Sequence, residues 1–158
     1  MKNKFYVLGS IFSFLSGLFT EFVLYVFYMI ISCADSLNQS NGNAKSYEHI
    51  YLILLLLAIA IIGAVVLAVI TFIKSLRKKP TPLAMIIYQM VTNFATFVFA
   101  IYAFVSTLLE GGTPDAAVFI GELIMIEFAA VTLIMYVLGL IKEAKEKKAI
   151  KNQDEIVE

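Results

Sequence analysis

Three carboxylates, Glu21, Glu122 and Glu127, stand inside long apolar runs that contain no lysine, arginine or histidine. An acid in hydrocarbon without a base to pair with must bind a cation, share a proton or stay protonated. The three glutamates are therefore the candidate ion or proton site. Other chemistries are poorly served. One cysteine, Cys33, and one histidine, His49, rule out an intrachain disulfide, a cysteine-rich zinc cluster and a bis-His haem held by one chain. No Cys–His or Ser–His pairing suggests itself, and no apolar run contains an aspartate pair. The sequence predicts a protein that is not an enzyme and needs neither cofactor nor metal.

Spacing adds geometry. Five positions at about 100° each set Glu122 and Glu127 roughly 140° apart on one helix. Glu122 shares its face with Ala129, Thr132 and Tyr136, whereas Glu127 falls among Ile120, Val131, Ile134 and Leu138. If the first face turns inward, Glu127 needs a second protein surface, which predicts a homo-oligomer. Counted from the expected outer helix ends, Glu21 and Glu127 both lie about 15 Å deep at 1.5 Å per residue, so they are expected to pair. Glu122 is expected nearer the surface.

Uncharged residues mark packing surfaces. Gly9, Ser13 and Gly17 lead to Glu21 at every fourth position, and Ala60, Ala64 and Ala68 repeat the spacing in the second run. Both rows predict close helix contact. Gln89, Asn93, Thr96, Ala100, Ala103 and Thr107 follow an alternation of four and three that keeps one seam on a helix. Gln89, Asn93 and Thr96 either bond to neighbouring helices or line a hydrated path.

These residues require membrane-spanning helices to hold them. The chain has 158 residues, 61% of them hydrophobic and 15% charged, and a mean hydropathy of +0.89. A soluble domain is roughly half apolar. Apolar runs at about 5–33, 50–73, 83–109 and 116–141 each exceed the roughly 20 residues that cross a bilayer. Lysines before the first run, and Ile30-Ile31-Ser32-Cys33 at its end, imitate a cleaved leader. The run is far longer than a signal core of roughly 7–15 residues and holds Glu21, so it is read as a retained helix.

Eleven of the twelve basic residues fall before the first run, in the turn Lys74–Pro80 or after Ile141. The positive-inside rule then places both termini and the second loop in the cytoplasm, with the first and third loops outside a plasma (inner) membrane. The expected fold is all-α: a four-helix transmembrane domain over 1–142, its helices antiparallel. A charged tail, 143–158, continues the fourth helix and frays after Lys151. Thr81-Pro82 and Thr113-Pro114-Asp115 read as helix starts. Phe5, Tyr6, Tyr47 and Tyr51 suit an aromatic belt, and His49 reads as a solvated loop residue.

Two functions follow as expectations. The first is a homo-oligomeric cation or proton channel, or a small transporter subunit, acting through the glutamates. The second is a non-conducting scaffold, sensor or regulatory subunit. In that reading Arg77, Lys78, Lys79, Lys145 and Lys148 meet anionic lipid or a cytoplasmic protein partner. Nucleic acid is not an expected partner.

Overall fold

The computed structural model describes residues 4–40, 48–77, 79–109 and 116–157, apart from the side chains of 38–40, 116–117 and 151–157. They form four helices: α1 (Lys4–Ser40), α2 (Glu48–Leu76), α3 (Leu83–Leu109) and α4 (Ala116–Val157). Each contains a stretch long and apolar enough to cross a membrane. Helix α3 has the bounds expected from its apolar run, while the other three are longer.

The extensions have local causes. Residues 34–40, read as loop from their polarity, continue α1, where Ser36 Oγ donates to the carbonyl of Ser32 at 2.9 Å. A polar stretch leaving hydrocarbon can stay helical at little cost, because its side chains are solvated. Helix α4 passes without a break into the charged tail and reaches Val157 rather than ending near Lys151. There the i,i+4 pairs Glu143–Lys147 at 3.1 Å and Lys142–Glu146 at 3.9 Å support it. Helix α2 closes with Lys79 N–H donating to the Lys74 carbonyl at 2.9 Å, a bond that satisfies an otherwise orphaned C-terminal acceptor. Helix α3 starts one residue later than Pro82, whose carbonyl accepts from Met85 N–H at 3.1 Å. The start expected at Thr113–Asp115 lies outside the described residues, as do Tyr47 and the basic-turn residue Lys78.

Helix α1 organises the bundle. It packs along α2 and α4, α3 packs along α4, and the α2–α3 and α1–α3 contacts are sparse. Along α1 and α4, Tyr6 meets Gly139, Gly9 meets Tyr136, the rings of Phe12 and Phe128 stack, and Phe19 meets Gly121. At the end of the bundle holding both chain termini, here the terminal end, Tyr6, Ile86 and Tyr136 form a core backed by Met90 and Leu140. Towards the opposite, distal end lie two clefts of about 350 and 360 Å³. Leucines, isoleucines and phenylalanines cover the outside of the bundle, the surface expected of helices that face lipid.

Candidate functional site

The buried face of α1 is Tyr6, Gly9, Ser10, Ser13, Ser16, Gly17, Thr20 and Leu24, within which Tyr6, Ser10, Ser13, Gly17, Thr20 and Leu24 alternate four and three. The four-spaced strip Gly9–Ser13–Gly17–Glu21 instead winds around the helix, since each step of four overshoots a full turn by about 40°. Its members meet three different partners. A Cβ on Gly9 would lie 2.9 Å from the ring of Tyr136 on α4, and one on Gly17 would lie 2.4 Å from Val65 on α2. Between them, Ser13 Oγ accepts from Asn93 Nδ2 on α3 at 3.0 Å. The α2 row behaves alike: Ile61, Ala64, Ala68, Thr71 and Ser75 are buried, while Ala60 is only half-buried.

All four helices contribute to one polar cluster near the terminal end. Gln89 Nε2 donates to Thr71 Oγ1 on α2 at 2.9 Å and to the Met85 carbonyl at 3.2 Å. Gln89 Oε1 accepts from the Tyr136 hydroxyl on α4. Asn93 Nδ2 donates to Ser13 and, at 2.8 Å, to the Gln89 carbonyl. Gln89, Thr71 and Tyr136 have no exposure, and Asn93 has 3%. Both donors of the Gln89 amide and its oxygen are therefore occupied within the protein. The hydroxyls of Ser10, Thr20 and Thr132 donate to carbonyls of their own helices, which needs neither water nor a neighbour. Gln89 and Asn93 thus bond to neighbouring helices, whereas Thr96, also buried, lines the cleft between α1, α2 and α3.

The three glutamates occupy three separate surfaces. Glu122, 7% exposed, shares a buried face with Met125, Ala129, Thr132 and Tyr136. Its Oε1 accepts from Thr107 Oγ1 at 3.0 Å, while Oε2 is buried without a hydrogen-bond partner. Glu21 is half-buried one turn beyond Gly17, which itself meets Val65 of α2, and its Oε1 is likewise buried and unpartnered. Glu127 is exposed among the exposed Ile120, Ile134 and Leu138.

The expected pairing of Glu21 with Glu127 is overturned by the register of α1 on α4. Phe19 meets Gly121 and Phe12 meets Phe128, which sets Glu21 level with residue 119 or so. Glu127 is then about 12 Å nearer the terminal end, counting eight residues at 1.5 Å, whereas Glu122 is within about one turn of the Glu21 level. The expected depths took the outer ends of the two helices to be level; the register instead sets the start of α4 beside about residue 24 of α1, so α1 runs on past it and Glu21 lies only about 5 Å below that start. Glu21 and Glu122 share a level without sharing a cavity, because Glu21 lies one turn from the Gly17–Val65 contact with α2 and Glu122 bonds to α3.

Several participants carried little sequence signal of their own. Thr71 is the one polar side chain in the three-four row of α2 before its basic end. Tyr6 was read as belt, yet its ring fills a notch at Gly139, where a Cβ would come within 2.2 Å, and its hydroxyl donates to Glu143 Oε2 at 2.9 Å. An aromatic and a glycine at the same end of two facing helices were the available clue. Among the basic candidates, Arg77, Lys79, Lys145 and Lys148 are exposed. Among the described residues, no three His, Cys, Asp or Glu side chains are grouped to hold a metal ion.

Comparison with known protein families, with curated proteins and with solved structures finds no match.

Proposed function

We propose that the chain is a non-conducting membrane subunit, a scaffold or regulatory component that assembles with copies of itself and presents a cytoplasmic helical arm. The observation that carries this reading is the hydrogen-bonded cluster of Gln89, Asn93, Thr71, Ser13 and Tyr136, buried and drawn from all four helices. A conducting chain needs polar groups with unused hydrogen-bonding capacity along a hydrated route. Here Gln89 and the Asn93 Nδ2 spend theirs on Thr71, Tyr136, Ser13 and backbone carbonyls, and the acids lie on separate surfaces.

The same reading takes the helices as antiparallel spans of the plasma (inner) membrane, with both termini and the α2–α3 turn in the cytoplasm. The falling register of α4 residues along α1 supports the first part, and the distribution of lysine and arginine supports the second. Beyond Ile141, α4 continues for sixteen helical residues to Val157, an arm about 24 Å long. Its root is held by the Tyr6–Glu143 bond, and Lys145 and Lys148 are exposed on it. That arm and the basic turn suit a protein partner or anionic lipid.

Proteoliposomes loaded with a pH dye and subjected to proton, sodium and potassium gradients test the proposal. Flux should equal that of empty vesicles for the wild type and for Glu21→Gln, Glu122→Gln and Glu127→Gln alike. Flux above that level, lost in any one of these variants, overturns it in favour of transport. Capture from native membranes should recover a partner that is lost with Lys145→Ala/Lys148→Ala.

A further inference from the structure

The cleft of about 360 Å³ between the distal parts of α1, α3 and α4 combines an apolar wall with one carboxylate. Phe19, Phe22 and Phe27 of α1, Phe99 of α3 and Met125 of α4 line it, and Glu122 is its one ionisable lining residue. Thr107 holds Glu122 Oε1, which leaves the buried Oε2 as an acceptor that no group of the protein uses. A buried polar atom without a partner is uncommon and calls for a reason. The chain offers no lysine or arginine within the spans to supply one. The neighbouring cleft between α1, α2 and α3 has nearly the same volume, about 350 Å³, and no carboxylate in its lining. Apolar filling would suit that second cleft; it leaves Glu122 unexplained in the first.

We infer that the α1/α3/α4 cleft is a binding site for a hydrophobic ammonium, a monovalent organic cation with an aryl or alkyl body. Its N–H donates to Glu122 Oε2, which turns out of its buried position to meet it, and the body lies among the phenylalanine rings, whose faces attract cations. Away from water the charge-assisted bond is short and strong. A divalent metal ion would need several oxygen ligands, and the cleft supplies one carboxylate. A neutral lipid chain would use the rings and leave Oε2 unbonded. Occupancy requires no transport, so binding and the non-conducting reading stand or fall separately.

The full chain in phosphatidylcholine nanodiscs, titrated calorimetrically with 4-phenylbutylammonium and with 4-phenylbutanol, tests the site, with empty nanodiscs subtracted. The ammonium should bind saturably, one per chain, and about tenfold more tightly than the alcohol, the factor expected of one charged hydrogen bond. Glu122→Gln should abolish that preference. Gly121→Leu keeps the carboxylate but fills the cleft beside Phe19, and it should weaken both ligands about tenfold or more. Equal affinity for the two ligands in the wild type overturns the assignment. So does a preference that survives Glu122→Gln, or binding unaffected by Gly121→Leu. Should Glu122→Gln fail to fold, the wild-type ratio and the Gly121→Leu titration decide the matter.

Discussion

The hydroxyl of Tyr136 on α4 donates to Oε1 of Gln89 on α3 at a point where neither residue has any exposure. Because Gln89 also holds Thr71 of α2, and its carbonyl accepts from Asn93, which holds Ser13 of α1, this bond completes a branched set that reaches all four helices. Helices in a bilayer gain little from burying apolar surface against one another, so packing and such bonds must join them. The cluster is therefore the chief tie at the terminal end.

Replacing Gln89 by leucine should lower stability by about 1–3 kcal/mol, the cost of stranding buried partners. Tyr136→Phe should cost a similar amount by stranding Gln89 Oε1. The double variant should lose less than the sum, because removing both partners strands fewer groups. Reversible unfolding in mixed micelles measures all three; strict additivity would mean that the two residues do not act as one unit.

Gly139 should resist even alanine. Its added Cβ would lie 2.2 and 2.5 Å from ring carbons of Tyr6, so the ring or the helices must shift, at about 1–3 kcal/mol. In a Tyr6→Ala background the same change should be nearly neutral. At Gly121 the added Cβ meets Phe19 at an ordinary 3.5 Å, and alanine there should stay within about 0.5 kcal/mol of the wild type. Melting temperatures of the four variants separate these cases.

How much of this could be read from the sequence depends on period. The row Gln89–Asn93–Thr96–Ala100 takes steps of four, three and four, stays close to the helical period of about 3.6 residues and coincides with buried residues of α3. The strips of constant four on α1 and α2 were legible as small residues but not as one face, because they drift off any straight contact within about three steps. The limits of α3 were sharp because Pro82 stands just before its first residue. Those of α1 were not, since residues 34–40 are polar and polarity alone does not end a helix outside hydrocarbon. The Glu21–Glu127 pairing failed because the outer ends of α1 and α4 are not level, an offset that no local pattern encodes. The bonds Tyr6–Glu143 and Glu122–Thr107 depend on the register of whole helices, which no local pattern encodes.

Cys33 gives a direct check of orientation. It is exposed on α1 and lies 29 residues past Lys4, about 43 Å along the helix axis, beyond a hydrocarbon core of about 30 Å. A membrane-impermeant maleimide added to intact cells should therefore label it without permeabilisation. Labelling seen only after the membrane is opened would reverse the proposed topology.

Glu127 tests assembly. Its carboxylate stands exposed between Ile120 and Ile134, nine residues into a span that begins near Val118, or about 14 Å. A charged group near the centre of a lipid-facing strip costs at least about 2.5 kcal/mol on insertion scales. In a lone chain Glu127→Leu should therefore stabilise the fold and change nothing else. In a homo-oligomer joined through this face, two protonated carboxyls from neighbouring copies can hydrogen-bond to each other, and leucine removes that bond. The expected result is that Glu127→Leu shifts the complex to monomer in light scattering of purified protein while raising or preserving its melting temperature. Glu127→Gln, which can still bond across the contact, should retain the assembly. Glu21→Leu, altered one turn beyond Gly17, should leave oligomer size unchanged. An oligomer untouched by Glu127→Leu would move the interface to another face of the bundle.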